Sequence, residues 1–72
     1  MTRIYFEKEG FKNFHRAYTE KKRLRKDFNI NFNCKIIENL DGTCKLGITS
    51  INEVSQNLLK ESGFKVVKVE SL

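Results

Sequence analysis

The sequence predicts an α+β fold: a ferredoxin-like β-α-β-β-α-β sandwich, with a four-stranded antiparallel sheet and two helices on one of its faces. Three observations carry that expectation. Apolar residues recur at a helical period between residues 11 and 28, then alternate strictly from 30 to 36. The stretch NLDGT at residues 39–43 reads as a hairpin turn that keeps the apolar residues of the next strand on the same face. A capping sequence and a glycine bracket a second helical stretch, and short β-branched or aromatic runs stand at both ends of the chain.

Taken in order, Thr2 to Phe6 (TRIYF) is the first strand, with Ile4 and Phe6 on one face and Arg3 and Tyr5 on the other. Phe11, Phe14, Ala17, Tyr18, Leu24 and Phe28 make one stripe at 100° per residue, so residues 11–28 form an amphipathic helix. Lys21 and Arg25 intrude on that stripe, which predicts that the helix leaves the sheet near residue 20. In NINFNCKIIEN the alternation puts Ile30, Phe32, Cys34 and Ile36 inward and Asn29, Asn31, Asn33 and Lys35 outward. A type I turn at Leu40 and Asp41 with Gly42 left-handed sets Ile36 opposite Leu46 and Cys34 opposite Ile48.

That register leaves Cys34 and Cys44 too far apart along the paired strands for a disulfide, so both read as small apolar residues with free thiols. Ser50 and Glu53 form a capping box, and Ile51, Val54, Leu58 and Leu59 are the buried stripe of the second helix. Gly63 is its left-handed cap, with Phe64 placed to touch Leu59, and FKVVKVE is the last strand.

Seventy-two residues make one domain, 1–72, with a small core. No run of ~20 apolar residues suits a membrane span and the N-terminal stretch does not read as a signal peptide, so the expectation is a cytoplasmic protein without membrane association. Two cysteines and one histidine supply no metal site, and no cofactor motif is present. The +5 net charge is local. Residues 8–28 carry eight bases (Lys8, Lys12, Arg16, Lys21, Lys22, Arg23, Arg25, Lys26) against three acids, and the remainder carries six of each.

On the first helix, Lys12, Arg16, Thr19, Arg23 and Lys26 line the face opposite the apolar stripe, a row of cations suited to a phosphate backbone. A solvated helix face is the plain alternative, because Glu20 and Asp27 stand within reach of Arg23. The open face of the sheet offers Arg3, Tyr5, Asn31, Asn33, Lys35, Lys45 and Thr49. Ile4-Tyr5-Phe6 is similar to the first motif of RNA-recognition domains, which stack bases on central-strand aromatics, but CKLGITS lacks the aromatic residues of the second. Acylphosphatases share the topology and need a glycine-bearing phosphate loop with an Arg after strand one; EKEGFKN has one Gly and no Arg. His15 has neither an orienting partner nor a pocket in view, so no enzyme is expected.

The sequence therefore points to a small non-enzymatic nucleic-acid-binding accessory factor, with Lys12, Arg16, Arg23, Arg25 and Lys26 on phosphates and Arg3, Tyr5, Lys35 and Lys45 as secondary contacts. The alternative is a regulator or inhibitor that docks an acidic protein partner. Pairing through edge strands or the open sheet face would make a homodimer. An Asn-, Lys- and Ile-rich composition suggests an AT-rich bacterial or phage (mobile-element) source.

Overall fold

The computed structural model describes residues 1–28 and 33–72, as β1 (Thr2–Phe11), α1 (Phe14–Phe28), β2 (Asn33–Glu38), β3 (Cys44–Ser50), α2 (Glu53–Glu61) and β4 (Lys65–Ser71). The strands form one antiparallel sheet in the order β2-β3-β1-β4, so the predicted fold class is the observed one. Asn29, Ile30, Asn31, Phe32 and the side chain of Phe28, all used in the sequence reading, lie outside the described residues.

The core is one cluster. Ile4 and Phe6 of β1 and Cys44, Leu46 and Ile48 of β3 share a sheet face, and Ala17 and Leu24 of α1, Leu59 of α2 and Phe64 join them there. Both helices therefore cover the same side. The hairpin has the predicted register: Cys34 faces Ile48, Ile36 faces Leu46 and Glu38 faces Cys44. Its loop closes through the Gly42 amide on the Asn39 carbonyl (3.1 Å) and the Asn39 amide on the Thr43 carbonyl (2.7 Å), with Gly42 at φ 87°. A left-handed φ there disfavours any residue with a Cβ. Both thiols are free.

Several local expectations are overturned. β1 runs on to Phe11, past the predicted end at Phe6, because its partner β3 still pairs with it at Leu46 and Cys44. Phe11 thus belongs to a strand rather than a helix. α1 starts at Phe14, capped by Asn13, whose Oδ1 accepts from the Arg16 amide (3.0 Å). Leu24 is 1% exposed, so α1 stays on the sheet past residue 20, and the half-buried Lys21 lies along its margin. Phe14 and Tyr18 are not buried.

Ser50 does not cap α2. It ends β3, with its hydroxyl donating to the Asn52 carbonyl and accepting from the Asn52 amide, and Asn52 caps instead by accepting from the Ser55 amide (3.1 Å). This shift by two residues turns Ile51 and Val54 to solvent and Ser55, Gln56 and Leu59 to the sheet. The Gln56 amide group donates to the carbonyls of Thr2 (3.0 Å) and Ser50 (3.1 Å), which ties α2 to two strands. The far end is as predicted. The amides of Gly63 (φ 90°) and Phe64 reach back to the carbonyls of Lys60 and Leu59, the bonding of a Schellman cap, and Phe64 is buried in the cluster that holds Leu59.

Candidate nucleic-acid interface

The nine residues singled out from sequence fall on two opposite faces. Lys12, Arg16, Arg23, Arg25 and Lys26 are exposed on or just before α1, while Arg3, Tyr5, Lys35 and Lys45 lie on the open side of the sheet. One straight strand of nucleic acid cannot touch both. The physical state of each group separates them further.

On the open face most polar groups are already matched. The Tyr5 hydroxyl donates to Glu70 (2.6 Å), and Arg3 stands 3.8 Å from the same carboxylate. Lys68 sits 5.6 Å from the centre of the Tyr5 ring, and Lys45 pairs with Glu7 at 3.2 Å. The phenol bond holds the Glu70 carboxyl below the ordinary carboxylate range, with burial opposing and Lys68 and Arg3 assisting. The Tyr5 hydroxyl is therefore taken and Lys68 covers one face of its ring, and Lys35 is the one predicted cation of this face without an ion pair among the described residues.

α1 divides likewise. Arg23 donates through Nε to Glu20 and through a terminal nitrogen to Asp27 (3.1 Å), while Lys8 of β1 reaches the other Glu20 oxygen at 2.8 Å. The Arg23 bond, foremost, pulls the Glu20 carboxyl below its usual range against the effect of burial, and Glu20 in turn raises Arg23. The Lys8–Glu20 bond is thus the tether between α1 and β1, and Arg23 braces Glu20 from within the helix, its charge neutralised locally. Lys12 and Arg16 border the same shallow hollow, beside Gly10, Phe11 and His15, and have no acidic partner among the described residues. Arg25 and Lys26 are equally unmatched there.

The sequence reading left three residues out of the site: Phe14, Tyr18 and Lys22. Phe14 and Tyr18, assigned to the buried stripe, stand 54% and 44% exposed. Their rings are stacked one helical turn apart, with centroids at 6.1 Å and planes within 11°. The Lys22 ammonium continues the column, 5.4 Å from the Tyr18 ring centre. Helical geometry sets Arg25 on the same flank, seven positions beyond Tyr18. The signal was present in Asn13: an N-cap there makes Phe14 the first helical residue, at the helix's free end.

This flank combines exposed π-faces with unmatched cations, the pairing of surfaces that stacks bases and neutralises phosphates. Among the described residues no helix is long and apolar enough to cross a membrane. In comparisons with known proteins, the chain matches no family model, no curated protein and no solved structure.

Proposed function

We propose that the chain is a small non-enzymatic binding protein for single-stranded nucleic acid, with α1 as its contact element. Phe14 and Tyr18 stack bases, Lys22 and Arg25 meet phosphates on the same flank, and Lys12, Arg16 and Lys26 extend the phosphate contacts round the outer face of α1. The observation that supports this reading is the stacked, half-exposed Phe14–Tyr18 pair set among cations that have no acidic partner among the described residues. A merely solvated helix face gains nothing from two exposed rings, whereas a base takes up the place that Lys22 holds over Tyr18, or extends the stack beyond Phe14. Single strands are favoured over duplex because their bases are free to leave one another for an aromatic face. Such contacts tolerate sequence, so the reading implies weak sequence preference.

The test is fluorescence anisotropy with a labelled oligonucleotide, single-stranded and as duplex, on the wild type and on Phe14→Ala and Tyr18→Ala. Each stacked base is worth about 1–3 kcal/mol, so each substitution should weaken single-strand binding by roughly 5- to 150-fold. Duplex binding, which rests on phosphates, should change little. Wild-type protein that binds neither form at low salt overturns the reading, as does single-strand affinity that ignores both substitutions. A nuclease-resistant, stoichiometric complex with an acidic protein, with no affinity for nucleic acid, would assign the basic helix to protein docking instead.

A further inference from the structure

The second inference stands independently of nucleic-acid binding and concerns β4. This strand lies at one edge of the sheet and, among the described residues, pairs with β1 alone, leaving a seven-residue edge. Val66, Val67 and Val69 are 44%, 57% and 58% exposed, so no helix covers the strand. An open, valine-rich edge of this length is a template for another strand.

A β-bulge decides which strand fits. Val69 opposes Ile4 and Val66 opposes Phe6, so both valines point to the core side. Lys65 opposes Glu7, Lys68 opposes Tyr5 and Glu70 opposes Arg3, on the open side. The register slips between Tyr5 and Phe6, and the extra residue, Val67, lines the open-face hollow next to Lys68. Val67 and Lys68 thus share a face, and the strand's alternation reverses phase between them.

We propose that β4 pairs antiparallel with β4 of a second copy of this chain, about a two-fold axis between Val67 and Lys68, joining two sheets into one. In this register Val66 meets the second copy's Val69 on the core side, and Val67 meets Lys68 on the open side. Lys65 meets Glu70, and the symmetry makes that ion pair twice. Every opposed pair lies on a common face. The adjacent registers fail: one sets Val66 against Lys68, the other Val67 against Val69, and both pairs straddle the sheet.

Lysines and bulges ordinarily blunt an edge. Here each Lys65 finds a carboxylate, each Lys68 lies beside a valine, and the bulge is what aligns the faces. Among its described residues the opposite edge has no such match. Within Asn33–Glu38, Lys35 points to the open side with Gly47 and Glu38 to the core side with Cys44, so Lys35 cannot meet Glu38 of another copy across a common face.

Sedimentation velocity of the full chain over a dilution series tests this. The weight-average mass should rise with concentration from 8.5 kDa towards twice that value. Lys65→Glu sets two carboxylates against the two Glu70 residues and should leave the protein monomeric, and Lys65→Glu/Glu70→Lys, with the pairs reversed, should restore the dimer. Val69→Lys, at a position already open to solvent, should abolish the dimer without touching Glu70. Lys35→Glu on the far edge should leave it intact, and circular dichroism should report an unchanged fold throughout. A wild type that stays monomeric at every concentration overturns the proposal. So does a dimer indifferent to Lys65→Glu and Val69→Lys, or one dissolved by Lys35→Glu.

Discussion

Replacing Lys12, Arg16 and Lys26 together by Gln is the perturbation that most directly probes how α1 would hold a phosphate chain. All three are exposed and none has an acidic partner among the described residues. Each phosphate contact made by such a cation contributes about 0.7 to the slope of log affinity against log salt for a single strand and about 0.9 for duplex. The triple variant should therefore flatten the slope by about 2 on single strands and about 2.7 on duplex. Arg23→Gln is the internal control. Glu20 and Asp27 already act as its counterions, so it has little to release on binding and its slope should stay close to that of the wild type. What Arg23→Gln should lose is stability, by roughly 0.2–1 kcal/mol for a largely exposed pair network. The assay is anisotropy titration at four or more salt concentrations, with urea melts beside it. A triple variant with an unchanged slope, or an Arg23→Gln variant that flattens it as much, would refute the division of α1 into free and matched cations.

Leu24→Ala should cost about 2–5 kcal/mol in urea unfolding because the side chain is fully buried, whereas Val54→Ala on exposed α2 should change stability by under ~0.5 kcal/mol. The Glu20 carboxyl titrates below its unfolded value, so its contribution is complete above the ordinary carboxylate range and is lost as pH falls through the depressed folded value. Glu20→Gln should accordingly unfold less steeply with acid than the wild type below about pH 4, although it is less stable at neutral pH. Gly63→Ala forces a Cβ into a left-handed φ of 90° and should destabilise by about 1–2 kcal/mol in thermal melts. Intact mass spectrometry of untreated protein should show both thiols of Cys34 and Cys44; a mass lower by two hydrogens would contradict the β2–β3 register.

Over its described residues the hairpin was legible because two independent constraints, turn chemistry and alternation, select the same register at Ile36–Leu46 and Cys34–Ile48. The helix starts were not. At α2 the sequence reading took Ser50 as the cap and overlooked Asn52, a residue of an equally good capping type, so local propensity does not decide between the two. The extension of β3 to Ser50, a tertiary effect, decides for Asn52 and moves the buried face off Ile51 and Val54. At α1 the same kind of error hid the Phe14–Tyr18 pair, since an aromatic residue on an apolar stripe reads as core unless the element's end is known. Charge neutralisation at Arg23 was foreseeable from i, i+3 and i, i+4 spacing, but the Lys8 bridge to Glu20 requires the fold, because twelve residues separate the two.

The thin attachment of α2 has a kinetic consequence. A nine-residue helix is too short to persist in water by itself, and this one gives the sheet a single large, fully buried apolar side chain, Leu59, beside Ser55 and Gln56. Its hold on the domain rests on that residue, the two Gln56 bonds and the cap at Gly63. α2 should therefore open before the rest unfolds. Native-state hydrogen exchange would record this as a sub-global event, with amides of 56–61 exchanging well ahead of those of the β1–β3 ladder. While it is open, the surface beneath Leu59 is uncovered, so this short opening, rather than global denaturation, should set the protein's exposure to proteases.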